Sequence, residues 1–142
     1  MIQPATAEHF ARLRLQPMQA AFSELLADRD YVDELVKRGA WAAVAHGRVL
    51  GIGGFVDQGA GRAHAWVLFA NKIGHAFIAL HRAARRELER APYRRIELVT
   101  WYGFCEAHRW AQMLGFQPEA RLEAWFPDGS DGLLWRRLKW PR

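Results

Sequence analysis

Residues 61–101 constrain the fold more than any other part of the chain. Residues 61–70, GRAHAWVLFA, and residues 94–101, RRIELVTW, both have the apolar and β-branched character of strands. Between them, apolar residues recur at helical spacing: Ile73, Ala76, Phe77, Leu80, Ala84 and Leu88. Pro92 ends this helix. A strand, a helix and a strand in this order predict a crossover that joins two parallel strands.

The segments on either side of the crossover favour antiparallel strands instead. Residues 40–45 and 48–56 flank His46-Gly47, a two-residue connection suited to a tight hairpin. The other predicted strands lie at residues 1–5, 119–126 and 133–140, and the turn PDGSDG joins the last two. The sequence therefore predicts an α/β (α+β) fold, with a mixed, mostly antiparallel twisted sheet of about seven strands and helices on both faces.

Three helical segments are predicted before the first hairpin. Thr6 can cap the first, from Ala7, because its hydroxyl can accept from a free amide of the first turn. The second has a predicted buried stripe of Met18, Ala21, Phe22, Leu25 and Leu26. The third begins at Asp30, turns Val32, Leu35 and Val36 inward, and ends at Gly39. A short helix through Ala107, Trp110, Ala111 and Leu114 follows the crossover and ends at Gly115.

Composition narrows the class of protein. A length of 142 residues suits a single domain, 1–142, and 51% apolar residues with seven tryptophans exclude intrinsic disorder. The chain has neither a signal-peptide pattern nor an apolar run long enough to span a membrane, so we expect a cytoplasmic protein. The single cysteine, Cys105, and six histidines without an i, i+4 pair give no support for a disulfide framework or a metal site.

The segment NKIGHA, residues 71–76, is the strongest candidate for a binding site. It lies where the strand of the crossover gives way to the helix. Gly74 permits a phosphate to approach the backbone closely, and the free amides of a helix N-terminus carry a partial positive charge. Lys72 and His75 can add charge. The alternative is that Gly74 only begins a helix and that Ala76 is small for packing.

The order of elements, with AHRWAQMLGF followed by a hairpin, resembles the GCN5-related N-acetyltransferase (GNAT) superfamily over nearly the whole chain. In that family the loop after the fourth strand reads Gln/Arg-x-x-Gly-x-Gly/Ala, and its amides bind the pyrophosphate of acetyl-CoA. Asn71, Gly74 and Ala76 match this pattern, with asparagine in place of the longer first residue. The resemblance implies that acetyl-CoA is bound by Leu68, Phe69, Ala70, Asn71, Lys72, Gly74, His75 and Ala76. It also implies direct transfer of the acetyl group to an amine, with a backbone amide of VLFA polarising the thioester carbonyl.

The catalytic pattern of the family is incomplete in this chain. Many members carry a tyrosine four residues before the glycine of the LGF motif, where this chain has Ala111. Tyr102, Cys105 and His108 are candidate replacement acids, against readings as a half-buried rim aromatic, a core filler and a solvated helix residue. Glu97 is the candidate base; the alternative is a salt bridge on an exposed strand face.

Two other functions remain open from the sequence. The compact size, the missing tyrosine and WVLFANKIGHAFIALHRAARREL are similar to small GNAT-like proteins from the virion gene blocks of short-tailed bacteriophages. That similarity implies a catalytically silent head or tail component that binds phage structural proteins inside the virion.

A nucleic-acid role rests only on the net charge of +5 and on Arg82, Arg85, Arg86, Arg90, Arg94 and Arg95. It ranks last, because a solvated helix face explains those arginines equally well. The sequence is compatible with a homo-oligomer but does not determine the oligomeric state.

Overall fold

A computed structural model describes residues 2–15, 19 and 22–139. Its strands are β1 (Ile2–Pro4), β2 (Trp41–Ala45), β3 (Arg48–Gly59), β4 (Arg62–Phe69), β5 (Arg95–Trp101), β6 (Gln117–Leu122) and β7 (Gly132–Leu138). Its helices are α1 (Ala7–Arg12), α2 (Ser23–Ala27), α3 (Arg29–Lys37), α4 (Phe77–Arg90) and α5 (Cys105–Met113). A short 3₁₀ turn, Gly74–Ala76, leads directly into α4.

The strands of this described part form one sheet in the order β1-β2-β3-β4-β5-β7-β6. Strands β4 and β5 are parallel and are joined by α4, so the predicted crossover is confirmed. The pairs β1–β2, β2–β3, β5–β7 and β6–β7 are antiparallel. The predicted mixed, mostly antiparallel sheet with helices is therefore confirmed.

Contacts divide the chain into two compact units, and the single domain expected from the length stays a prediction. The first unit comprises Met1–Phe55 and Trp66–Arg90, and the second comprises Val56–Ala65 and Ala91–Arg142. Each unit has buried residues of its own.

Helices of the first unit pack on both faces of its strands. On one face, Phe10 of α1 and Val32 and Leu35 of α3 share a buried cluster with Ile52 of β3. Gly51 points to the opposite face, because successive strand residues alternate. A Cβ on Gly51 would lie 2.9 Å from Leu80 of α4. The glycine thus lets α4 pack directly on the strand.

The second unit is built around Trp135, which is only 1% exposed. Its indole Nε1 donates to Thr100 Oγ1 at 3.0 Å, so the buried donor on β7 is satisfied by the neighbouring strand β5. The ring of His108, on α5, lies 5.6 Å from the tryptophan ring. These contacts fix α5 against the sheet of this unit.

Several local predictions are confirmed. Thr6 caps α1 by accepting from the His9 amide, while His9 Nδ1 accepts from the Thr6 amide at 3.0 Å. His46 and Gly47 have φ angles of 52° and 73°, as a hairpin with two left-handed turn residues requires. Gly39, with φ 88°, directly follows Arg38, the C-cap residue of α3, so it stops the helix as predicted.

Other local predictions are wrong in detail. Helix α3 begins at Arg29, because Asp28 accepts hydrogen bonds from the amides of Asp30 and Tyr31 and so caps it. Leu25 is 45% exposed rather than buried, and Met18 and Ala21 of the same predicted stripe lie outside the described residues. Strand β6 ends at Leu122, because the Ala124 amide donates to Asp131 in a turn.

Candidate functional site

The loop between β4 and α4 has a backbone suited to binding an anion. Lys72 and Gly74 have φ angles of 51° and 54°, in the left-handed region, whereas Ile73 between them is right-handed, with φ −80° and ψ −17°. Alternation of right- and left-handed residues turns successive N–H groups toward one side of the chain and forms an anion-binding concavity. The first unit supplies this whole loop.

Arg48, on β3, holds the other side of the loop. Its guanidinium donates to the carbonyl of Lys72 at 3.1 Å and to the carbonyl of Asn71. In a trans peptide the N–H points away from the carbonyl of the same unit. The N–H groups of Lys72 and Ile73 therefore point away from Arg48. Arg48 was not predicted from the sequence, where it is simply the first residue of a strand.

The amides around the loop fall into two groups. Those of Ala70, Asn71 and Ala76 donate to Leu50 O (2.8 Å), Arg14 O (2.7 Å) and Ile73 O (3.0 Å). The Phe77 amide donates to the carbonyls of Gly74 and His75. Within residues 2–15, 19 and 22–139, no acceptor is bonded to the four consecutive amides of Lys72, Ile73, Gly74 and His75. Lys72, Gly74 and His75 are thus the predicted site residues whose amides are open to a ligand, and Ile73 joins them.

Strand β4, which leads to the loop, is covered along one edge by Gln19. The side-chain Nε2 of Gln19 donates to Val67 O at 3.0 Å, and its Oε1 accepts from the Phe69 amide at 3.0 Å. Leu15 forms an antiparallel bridge with Ala70 one step further along. The Phe69 amide, one of those expected to face acetyl-CoA, is therefore bonded within the chain. Leu68 is buried in the core of the first unit.

Glu97, the candidate base, lies on β5 in the second unit. Its carboxylate accepts from Arg95 Nε at 3.3 Å, and its side chain is 18% exposed. The same arginine also bonds to Glu119. Glu97 therefore pairs with an arginine, but on a half-buried part of the strand and not on the exposed face that the sequence alternative described.

His64 lies beside Glu97 and was missed by the sequence reasoning. The two residues are partners in the parallel ladder of β4 and β5, so their side chains share a face. Burial lowers the pKa of His64, and the nearby Glu97 carboxylate opposes that shift only in part. His64 is therefore a neutral imidazole near pH 7, able to accept a proton. The alternation of residues within AHAW is the sequence signal that could have placed His64 on this face.

The three candidate acids all lie in the second unit, and two of them have contacts there. Tyr102 is 44% exposed, and the Arg121 guanidinium lies over its ring at 4.1 Å. His108 Nε2 lies 3.0 Å from Trp101 O, and because a carbonyl only accepts, Nε2 carries the hydrogen. His108 is half-buried, so its reading as a solvated residue is wrong. Cys105 is exposed, so its reading as a core filler is also wrong.

The remaining sequence features carry no site. Arg82, Arg85, Arg86 and Arg90 are exposed on α4, and Arg85 pairs with Glu89 at 3.1 Å, as on an ordinary solvated helix face. Among the described residues, no group of three or more histidine, cysteine, aspartate or glutamate side chains could hold a metal ion. Nor is any described helix long and apolar enough to cross a membrane.

No protein-family model and no curated protein sequence matches this chain. Its structure is similar to solved acetyltransferases. One is Ard1 from Thermoplasma volcanium, with a TM-score of 0.78 and 14% identity over 99% of this chain and 98% of that one. A GNAT-family acetyltransferase from Streptococcus pneumoniae has a TM-score of 0.72 and 18% identity over 97% and 98%. A Bacillus subtilis acetyltransferase in complex with CoA has a TM-score of 0.71 and 15% identity over 99% and 97%.

These similarities span the full length of both chains at low identity. They show that this chain has the GNAT fold, as the order of its elements predicted. They do not carry the activity or the ligands of those proteins over to it.

Proposed function

We propose that this protein binds acetyl-CoA through the loop Lys72–His75 and transfers the acetyl group to an amine. The observation that carries the proposal is the run of four consecutive amides that have no acceptor among residues 2–15, 19 and 22–139, at the end of a strand that leads into α4. A diphosphate offers several anionic oxygens to such donors, and hydrogen bonds to a charged acceptor are roughly twice as strong as neutral ones.

The surroundings of the loop support an anionic ligand. Lys72 and His75 have exposed side chains directly beside the open amides. Arg48 is engaged with the carbonyls on the far side, so it orients the amides and leaves the phosphate to them. Gly74 has open space where a Cβ would stand. The CoA complex of the similar Bacillus subtilis protein is consistent with the same class of ligand.

The transfer step needs a group that removes a proton from the amine. Acetyl-CoA would supply the activated thioester, and the chain would supply the base. Of the pair His64 and Glu97, we assign the base to His64, because its imidazole is neutral near pH 7. The carboxylate of Glu97 is bonded to Arg95 and lies in register with His64, where it stabilises the imidazolium that forms.

A protein that binds acetyl-CoA without transferring the acetyl group is the second candidate function. The state of the candidate proton donors favours it. The family position of the proton-donating tyrosine is Ala111, which is 4% exposed and cannot donate. The Nε2 hydrogen of His108 is already held by Trp101 O, so His108 does not present an unengaged donor at that nitrogen. Nothing in the structure or in the comparisons supports the role in a phage particle.

A ligand series tests the binding proposal. Because a ligand that binds only the folded state raises its stability, acetyl-CoA and its nucleotide part, adenosine 3′-phosphate 5′-diphosphate (3′-phospho-ADP), should both raise the melting temperature. Acetyl-pantetheine, which lacks the diphosphate, should produce a much smaller shift. A shift from acetyl-pantetheine together with none from millimolar 3′-phospho-ADP would contradict the loop assignment.

Turnover is tested separately by release of the CoA thiol in the presence of amines. Activity that rises with pH and is lost in His64→Gln, while acetyl-CoA binding persists, supports transfer with His64 as the base. Binding without thiol release across mono- and polyamines supports the silent binder.

A further inference from the structure

The edge of β4 next to the loop is already occupied by an amide of the chain itself. Gln19 contacts the carbonyl of Val67 and the N–H of Phe69 in the way that a neighbouring strand would. The backbone groups of successive strand residues point to alternate sides of the strand. The Ala70 amide donates to Leu50 on β3, so the Val67 carbonyl and the Phe69 N–H point to the side away from β3. The ladder between β4 and β5 has its last pair at His64 and Glu97, before this stretch begins.

A ligand bound at the loop would bring a second amide to the same place. The arm that leaves the diphosphate of CoA contains two amide groups in a flexible chain. Extended amide chains bind exposed strand edges through backbone donors and acceptors. Phe69 lies three residues before Lys72, which is roughly 10 Å along an extended chain. The arm therefore reaches the groups that Gln19 holds.

We propose that Gln19 is a specificity-determining residue that competes with the arm of the CoA ligand for Val67 O and the Phe69 N–H. This inference rests on the proposed function. The nucleotide part of the ligand needs only the amides of Lys72–His75 and leaves Gln19 in place. The arm requires Gln19 to rotate away from the edge, so Gln19 weakens the binding of whole CoA relative to its nucleotide part.

Removal of the side-chain amide should therefore strengthen the binding of CoA selectively. Two neutral hydrogen bonds and an ordered side chain predict a gain of roughly five- to thirtyfold in CoA affinity for Gln19→Ala. The affinity for 3′-phospho-ADP should not change. Gln19→Asn, one methylene shorter, cannot span both groups and should show a gain of the same sign.

Isothermal titration of wild type and both variants with CoA and with 3′-phospho-ADP measures these affinities. Gln112→Ala, on the exposed face of α5, is the matched control and should bind both ligands as the wild type does. Melting curves without ligand verify that each variant is folded.

The outcomes separate the two proposals. A selective gain for CoA in both Gln19 variants supports the competition. CoA affinity that is unchanged or weaker in both, with normal 3′-phospho-ADP binding, overturns the role of Gln19 and leaves the proposed function standing. Absence of binding of either ligand to the wild type and to both variants overturns both.

Discussion

Substitution of Gly74 by alanine isolates the geometry of the loop. Gly74 has a φ angle of 54°, and a Cβ built on it meets no atom within 4 Å. The new methyl group therefore causes no clash, and the whole penalty comes from the left-handed backbone. For an L-residue that penalty is roughly 1–2 kcal/mol. In a chain of this size it should lower the melting temperature by about 3–8 °C.

The effect on binding should exceed the effect on stability. Relief of the strain rotates the peptide units on either side of Gly74, and these carry two of the four open amides. Each hydrogen bond to a charged acceptor is worth roughly 1.5–3 kcal/mol, so loss of one weakens diphosphate binding by at least tenfold. Isothermal titration with 3′-phospho-ADP, below the melting temperature of the variant, measures this loss directly.

Gly39→Ala is the matched control. Gly39 also has a positive φ angle, 88°, and no atom within 4 Å of its Cβ position, but it ends α3 far along the chain from the loop. It should lower the melting temperature at least as much and leave the affinity for 3′-phospho-ADP unchanged. If Gly74→Ala is destabilised as expected yet binds 3′-phospho-ADP like the wild type, the loop amides do not hold the diphosphate.

Three further predictions follow from single contacts. Arg48→Ala should speed amide hydrogen exchange at the loop and weaken 3′-phospho-ADP binding several-fold. Arg38→Ala, which breaks an exposed ion pair with Glu34 at the end of α3, should do neither. Burial lowers the folded pKa of His64, so its contribution to stability is complete above its ordinary pKa of about 6.5 and falls as the pH drops below it. Urea unfolding should show a shallower loss of stability between pH 7 and pH 5 in His64→Gln. Thr100→Val leaves the buried indole N–H of Trp135 without its acceptor and should destabilise the fold by about 1–3 kcal/mol in urea unfolding, whereas Thr100→Ser should retain most of that stability.

The sequence predicted the elements whose cause is local. The period-2 and helical patterns of residues 61–101 identified the crossover, since the position of apolar residues decides which face each element buries. His46-Gly47 identified a hairpin, because left-handed turn residues are required there. Thr6 identified a helix start for the same kind of reason: its hydroxyl can satisfy an amide of the first turn.

The site residues that the sequence missed depend on contacts between distant segments. Gln19 and Phe69 are 50 positions apart, and Arg48 and Asn71 are 23 apart. No pattern within a window of one element can reveal such pairs. The sequence therefore located the loop but did not reveal which of its amides the fold would occupy.

The two parts of the proposed binding surface differ in what a ligand must displace. The amides of Lys72, Gly74 and His75 belong to exposed residues, so water can satisfy them and a phosphate replaces only water. The half-buried edge at Val67 and Phe69 is different, because a strand edge without partners is unfavourable and Gln19 satisfies it. Binding of the nucleotide part should therefore need no rearrangement, whereas seating of the acyl arm needs Gln19 to leave. In a chain that also lacks the usual tyrosine, affinity for CoA and rate of acetyl transfer are thus expected to respond to different substitutions, Gly74→Ala for the first and His64→Gln for the second.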